Sequence, residues 1–378
     1  MKPELLISSS ALIHNVKYLQ KKSALKLFPV LKADAYGHGA VLCSSVLENN
    51  FSDEDLPYFC VARLGEAKEL REAGVTRPLL VLSQYSVEEI LDEKVKDLSF
   101  AVNSVALAND FVRSSDRLFA YVDSLHLHFN TGMNRLGLPW AELAENKKVF
   151  SSLQAANYKV SGLMTHFACS EHDPDNFTAL QIERFNSLCK DISDSSVKWI
   201  HASNSTATVR ALAELENATR PGLYLWGLDH SRNDFKPQDF NLKPVLSARA
   251  PLLEIKRVSK GEAVGYGQSY RFKKDSLVAS VALGYADGID LSLSRSTEDV
   301  YDLGFLVADH KVPIVGKVSM DIALVDLSEH PKREQLSTAE YAYWICEKQG
   351  VGDVAKSLNK IPYEVLCSFG HRLSRRIV

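Results

Sequence analysis

Leu25-Lys-Leu-Phe-Pro-Val-Leu-Lys32-Ala-Asp-Ala-Tyr36-Gly37-His38-Gly39 is an apolar run that hands a lysine to a glycine-punctuated loop. A short apolar run bounded by turn residues reads as a buried strand over 25–32. Placing a lysine at its C-terminal edge is costly, because desolvation disfavours the ammonium. The same cost makes the amine a better nucleophile, as a carbonyl-bearing cofactor requires of its lysine. Taken alone, the segment equally describes a strand-end lysine whose head group reaches back to water.

The pattern recurs downstream. Further apolar, β-rich runs cover 58–62, 78–83, 98–102, 118–130, 160–167, 199–204 and 218–220. Helix-like stretches lie between them: 65–73 puts Ala67, Leu70 and Ala73 on one face, and 177–189 puts Leu180, Phe185 and Leu188 on another. Parallel strands need long crossovers, so eight such runs with helical connections predict a (β/α)8, TIM-like barrel. An open doubly wound sheet is the competing topology.

A polar, proline-bearing linker follows from Asp229 to Pro237, and the pattern then changes. Runs over 245–258, 263–272, 277–283, 305–308, 312–315 and 323–325 lack helical crossovers, and Asp309-His310-Lys311 reads as a hairpin turn. A strand over 341–346 and a short helix over 351–359 complete a mostly antiparallel β domain. The expected division is a barrel over 1–235, with the first few residues free to join the second domain, and a β domain over 236–378.

A length of 378 residues suits two domains, and 46% hydrophobic with 24% charged residues is a globular balance able to bury a large core. A net charge of −3 gives no electrostatic case for a nucleic-acid partner. Six scattered cysteines without a C-x-x-C pair predict reduced thiols, no zinc site and no disulfide framework. No run has the length to cross a bilayer, and the N-terminus lacks a secretory apolar core. The expectation is a cytoplasmic protein with neither membrane nor metal.

In a (β/α)8 barrel the chemistry is assembled at the C-terminal ends of the strands. Lys32 follows the first run, Arg135 lies beyond the fifth, His166 ends the sixth, Asn204 and Ser205 end the seventh, and Arg220 with Gly222 ends the eighth. Each has a structural explanation alone: a core histidine, a solvated charge, a helix cap, a turn glycine. Together, on one rim, they describe a site. The ends of the seventh and eighth strands commonly hold phosphate. A lysine for an aldehyde and a phosphate cradle on the same rim point to pyridoxal 5′-phosphate.

At this point the motifs resemble those of alanine racemase, a two-domain, fold-type III pyridoxal-phosphate family. Lys32-Ala-Asp-Ala-Tyr-Gly-His-Gly is similar to its cofactor-lysine signature. Thr131-Gly-Met-Asn-Arg-Leu-Gly, His201-Ala-Ser-Asn-Ser, Arg220-Pro-Gly, Gly265-Tyr266-Gly, Gly284-Tyr285-Ala-Asp-Gly, Val318-Ser-Met320-Asp321 and Tyr363-Glu-Val-Leu-Cys follow in the family's order. The resemblance implies that Lys32 holds the cofactor covalently and serves as base on one face of the substrate. Tyr266, from a partner subunit, would act on the other face. It further implies His166 beside the pyridine ring, Arg220 on the pyridine nitrogen, and Tyr36, Asn204, Ser205, Gly222, Leu223 and Tyr363 around the cofactor. Arg135, Met320 and Asp321 would hold the substrate, and Tyr285 would narrow the way in.

The implied activity is interconversion of L- and D-alanine by an isomerase acting as a head-to-tail homodimer, with D-alanine for peptidoglycan precursors as its purpose. A broader-specificity racemase (for serine, for example), a decarboxylase of the same fold type and a non-catalytic cofactor carrier are the alternatives. One position departs from the pattern. Many relatives carry a lysine, often carbamylated, seven residues before the motif arginine, where this chain has His128. The usual aspartate two residues later is Asn130. Arg135 is then expected to be oriented differently, by Asn130, water or an anion.

Overall fold

In a computed structural model of the protein, the described residues are 2–173, 175–212, 214–229, 240–296 and 302–378. The chain forms two compact units: Leu12–Lys243, and Met1–Ala11 together with Pro244–Val378. The expected domain boundary at 235/236, and the expected linker beyond Asp229, lie outside the described residues.

The first strand, β1 (Glu4–Ile7), belongs to the second unit. The first unit contains β2 (Lys26–Leu27), β3 (Phe59–Arg63), β4 (Leu79–Gln84), β5 (Leu98–Val102), β6 (Val122–Asn130), β7 (Leu138–Pro139), β8 (Val160–Met164), β9 (Trp199–His201) and β10 (Ala218–Thr219). Strands β3, β4, β5, β6, β8 and β9 pair in that order, all in parallel, and β2 pairs in parallel with β10. Backbone bonds join the two groups on both sides. Leu31 N–H donates to Cys60 O and Cys60 N–H to Pro29 O, each at 2.8 Å, while Arg220 N–H donates to Ser203 O at 2.8 Å. The sheet therefore closes into the TIM-like barrel, which excludes the open alternative. The short β7 pairs only with the end of β6.

The first strand is shorter than its sequence suggested. Pro29 has no N–H to give the ladder, so pairing runs over Lys26–Leu27, breaks, and resumes as a single bridge from Val30 to Cys60. Lys32 therefore does not end a strand; it opens the turn beyond one. Strand β6 starts at Val122 rather than 118, because Ser115–Leu118 closes a helix. The sixth and seventh runs stop pairing at Met164 and His201. The expected site residues thus stand in loops just past the strand ends.

The helix Phe177–Ile192 buries Gln181, Phe185, Leu188 and Ile192, spaced by four, three and four residues along one face. Leu180, expected on that face, is exposed, being a full 100° step away from Gln181. Inside the barrel, Phe28 packs on Tyr58, Trp199 and His201 at 5.0–5.2 Å between ring centroids. The floor is a filled core rather than a pore.

The second unit is built on a long strand, β11 (Leu246–Val258), followed by β12 (Ala263–Val264), β13 (Tyr270–Arg271), β14 (Ser276–Val281), β15 (Gly304–Val307), β16 (His310–Pro313), β17 (Ala323–Asp326), β18 (Tyr341–Ile345) and β19 (Ser374–Ile377). Strand β11 is antiparallel to β1, β14 and β18, with a register shift between Leu252 and Glu254 that lets it serve two sheets. Among the described residues of this unit, only β1 and β19 pair in parallel. Ala308 and Asp309 both take positive φ, the conformation that tight hairpins require, and turn β15 back along β16. The run 263–272 is not one strand: it breaks into β12 and β13 around Gly265 and Gly267, at φ 70° and 71°. Tyr363 lies in the first turn of the helix Pro362–Cys367.

Candidate active site

The loop after the first barrel strand is a left-handed turn. Ala33, Asp34, Ala35 and Tyr36 have φ of 53°, 52°, 53° and 55°. Left-handed backbone costs an L-residue roughly 1–2 kcal/mol, so the turn persists only where its surroundings hold it. They do. Ala35 N–H donates to Leu31 O, Gly37 N–H to Ala33 O, and Gly39 N–H to Asp34 O, at 2.8–2.9 Å. The Asp34 carboxylate accepts from Ala40 N–H at 2.7 Å. Glu66, at the start of the helix Leu64–Glu72, accepts from Ala33 N–H at 2.8 Å and from Ala62 N–H at 2.7 Å. A carboxylate is thus fixed on the peptide that follows Lys32. The lysine is half-buried and Tyr36 is buried.

Tyr36 meets the eighth strand end. A Cβ on Gly222 would lie 2.3 Å from the Tyr36 hydroxyl, so only glycine admits this approach. Ser205 converges on the same place: its Oγ accepts from Gly222 N–H at 2.9 Å and from Tyr224 N–H at 3.3 Å. Leu223, buried, opens the 3-10 turn Leu223–Trp226. The helix cap at the seventh strand end is Asn204, whose side chain accepts from Ala207 N–H at 3.1 Å and from Ser170 Oγ at 2.8 Å. That leaves Ser205 free of capping duty.

Arg220 is buried, and its two terminal nitrogens are fully engaged. One donates to His201 Nδ1 at 2.5 Å and His201 O at 2.7 Å. The other donates to Thr165 O at 2.6 Å, Ala202 O at 3.1 Å and His166 Nδ1 at 3.2 Å. Among the described residues nothing accepts from its Nε–H. A guanidinium only donates, so His201 must accept through Nδ1 and carry its proton on Nε2. That proton faces His126 Nδ1 at 2.8 Å, and the Nε2–H of His126 then faces Ser161 Oγ at 3.3 Å. Burial, then Arg220, pushes the pKa of His126 down to about 3 and that of His201 well below its usual value. The chain Arg220–His201–His126–Ser161 is therefore neutral beyond the arginine, with every tautomer dictated by it. His166, whose pKa is also held low by burial and by Arg220, receives Arg220 on Nδ1 and keeps its own proton on Nε2.

Arg135 stands in the loop after β6, exposed and without a hydrogen bond or ion pair among the described residues. The loop itself is firmly held. Asn130 Oδ1 accepts from Gly132 N–H at 3.1 Å and Asn134 N–H at 3.0 Å, and Gly137 N–H donates to Asn103 O at 3.0 Å.

In the second unit, Tyr266 is 72% exposed between its two glycines. A Cβ on Gly265 would come 3.3 Å from Lys317 N, so its loop rests on the 316–317 segment. Tyr285 N–H donates to Ser319 O at 3.0 Å and Ala286 N–H to Met320 O at 3.1 Å. Gly284 permits this, since its Cβ would lie 2.3 Å from Met320 O. Asp321 is bound to Arg372 at 2.5 Å, and Arg372 also reaches Asp287 at 3.4 Å. Tyr266 and Tyr285 thus project from two loops packed on the segment 316–321, which itself carries Met320 and Asp321. Tyr363 belongs to this unit as well.

Comparison with known proteins now bears on the arrangement. The family model of the alanine racemase N-terminal domain matches residues 7–230, and that of the C-terminal domain matches 245–377. The chain belongs to the alanine racemase family. It is 31% identical over 378 residues to an alanine racemase of Methanococcus maripaludis, covering 98% of this chain and 96% of that protein. The solved alanine racemase of Clostridium difficile superposes with a TM-score of 0.88 at 26% identity, over the whole of this chain and 96% of that one. The Bartonella henselae alanine racemase, crystallised with covalently bound pyridoxal phosphate, shares the fold with a TM-score of 0.80 at 24% identity over both full lengths.

Within this alanine racemase scaffold, several residues of the site carried no role in the sequence. His126 and His201 form the relay behind Arg220; the alternation Leu125-His-Leu-His128 on β6 is the one signal that could have found the first. Glu66 and Glu216 sit in helix and loop stretches where a glutamate is unremarkable. Among the described residues no helix is long and apolar enough to cross a membrane.

Proposed function

We propose that this chain interconverts L- and D-alanine with the help of pyridoxal 5′-phosphate, using Lys32 and a partner copy's tyrosine at position 266 as its two acid/base groups. The barrel residues fit the cofactor. Ser205 Oγ accepts from the Gly222 and Tyr224 N–H groups and so keeps its own hydroxyl hydrogen to donate to a phosphate, beside a Gly222 bare of Cβ against the Tyr36 hydroxyl. The free Nε–H of Arg220 suits a ring nitrogen that accepts. The Lys32 amine suits an aldehyde.

When bound, the cofactor acidifies the amino acid's Cα–H. The rest falls to the chain. Lys32 takes or returns the Cα proton on the face it occupies. A held substrate exposes its opposite face to a different group, and an exposed tyrosine on a glycine hinge can reach into a neighbouring molecule. Both groups must change protonation near neutral pH. Arg220 keeps its proton under nearly all conditions, so it donates to the ring nitrogen without giving a proton up and restrains side reactions. Arg135 is available for the substrate carboxylate, and Tyr285 and Met320 limit side-chain size.

Discrimination by one methylene is worth only about 1–3 kcal/mol, so some turnover of serine is expected. Sharing Tyr266 and Asp321 requires a head-to-tail dimer with two-fold closure. The observation that carries the reading is the convergence of Tyr36, Ser205 and Gly222 at one point of the barrel rim that also bears Arg220. Borohydride reduction of the purified, coloured protein should tag the peptide containing Lys32, and circular dichroism should show L-alanine losing optical activity. A tag on another peptide, or no coenzyme uptake, would overturn the proposal.

A further inference from the structure

Glu216 is buried, lies just before β10, and has no part in the chemistry above. Its two carboxylate oxygens meet three donors. One oxygen accepts from Ala202 N–H and from Ser203 N–H, the latter at 2.6 Å. The other accepts from Ser203 Oγ–H at 2.6 Å. The same three-residue segment is gripped from its carbonyl side by Arg220. The guanidinium takes His201 O and Ala202 O, and the Arg220 backbone N–H takes Ser203 O at 2.8 Å. Residues 201–203 are therefore saturated, with every donor of Ala202 and Ser203 on an anion and the carbonyls of all three residues on Arg220.

That segment leads directly into Asn204 and Ser205. A neutral, hydrogen-bonding side chain would not serve equally at position 216. All three partners donate, and a glutamine amide would present two hydrogens where the structure has no acceptor. Burying a carboxylate is unfavourable unless it is hydrogen-bonded and its charge is answered. Here both conditions hold, with Arg220 across a single stretch of backbone as the answering charge.

We propose that Glu216 is the positioning residue of the anion-holding end of the site: it fixes the 201–203 segment so that the Ser205 hydroxyl, itself held by the Gly222 and Tyr224 N–H groups, meets the ligand's phosphate in register. The inference rests on the pyridoxal-phosphate reading and deepens it. It predicts that Glu216 governs the phosphate contribution to cofactor binding rather than binding in general.

The test uses the full-length protein stripped of cofactor. Pyridoxal 5′-phosphate and phosphate-free pyridoxal are each titrated by absorbance into the wild type and Glu216→Gln. The variant should bind the phosphorylated form at least tenfold more weakly while its affinity for pyridoxal changes less than threefold. Equal losses for both compounds would mean a merely structural role and overturn the inference, as would no loss for either. If Glu216→Gln does not fold, Ser203→Ala removes one of the three donors and should shift the same ratio in the same direction, by about threefold; an unchanged ratio again overturns it. A wild type that takes up neither compound would instead refute the cofactor reading itself, so the two failures are distinguishable.

Discussion

Gly222 lies against the Tyr36 hydroxyl so closely that a single added carbon would sit 2.3 Å from it. Two loops 186 residues apart in the chain are thereby brought into one cradle, with Ser205 bonded to the Gly222 N–H. A methyl group at this point must push Tyr36 aside, and Tyr36 is set in a turn whose left-handed backbone has little slack. Gly222→Ala should therefore weaken cofactor binding by tenfold or more while the barrel still folds. Absorbance titration with pyridoxal 5′-phosphate, alongside a far-ultraviolet circular dichroism spectrum, measures both. Unaltered affinity would place the phosphate elsewhere.

On the proposed reading, Arg220 would govern the outcome of the reaction as well as its rate. Its charge is permanent, and its terminal nitrogens are held by the carbonyls of Thr165, His201 and Ala202. A ring nitrogen placed against it would then meet only a donor, never an acid. Arg220→Glu replaces it with a group able to share a proton, which strengthens the ring as an electron sink and lengthens the life of the deprotonated substrate. Pyruvate formed per racemisation event should rise by an order of magnitude. A coupled lactate dehydrogenase assay reads the pyruvate; unchanged partitioning would count against the role.

The neutral histidines inside the barrel make its stability depend on pH. Burial first, and Arg220 next, push His126 and His128 down to about 3, from an ordinary value of 6.5. Below pH 6.5 the unfolded chain binds protons that the folded chain refuses, so this contribution is complete above 6.5 and is lost as pH falls toward 3. Each histidine costs about 1.4 kcal/mol per pH unit in that window, or about 4 kcal/mol for the pair between pH 6.5 and 5. The melting temperature should fall by about 10 °C over the same interval. His128→Asn should flatten the slope, and a melting temperature indifferent to pH between 7 and 5 would be incompatible with neutral buried histidines.

The barrel was legible because its strands are apolar runs separated by helical stretches, a pattern that survives errors of a few residues at each end. What the pattern hid was local. Pro29 cut the first strand, so Lys32 moved from a strand end into a strained turn, and no periodicity reports a left-handed segment of ordinary residues. Leu180 failed as a core residue because two adjacent positions, 180 and 181, compete for one helical face, and Gln181 won it through bonds to Thr131 and His166 O. The glycines of Gly265-Tyr266-Gly267 broke an expected strand for the reason that makes the tyrosine prominent. Second-line residues such as Glu66 and Glu216 act on backbone N–H groups, which leave no trace in side-chain patterning.

His128 stands where the family resemblance implies a lysine, and its surroundings say what it can do there. Asn103 donates through Nδ2 to Leu82 O at 3.1 Å, which fixes its Oδ1 as an acceptor. His128 Nδ1 lies 2.6 Å from that oxygen and must carry the proton, leaving Nε2 with a lone pair. A neutral imidazole so held has no amine to condense with carbon dioxide and brings no negative charge to Arg135. The loop bearing Arg135 is set instead by the Asn130 side chain, by Asn103 O and by Gly137, whose Cβ would lie 2.5 Å from Asn130 N. Activity should therefore be the same in carbon-dioxide-depleted buffer and in buffer with added bicarbonate, in both kcat and KM. Asn130→Ala, by contrast, frees two loop N–H groups and should raise KM for alanine about tenfold with a smaller change in kcat. A bicarbonate-dependent gain that vanishes in His128→Gln would show that an anion, not the asparagine, orients the arginine.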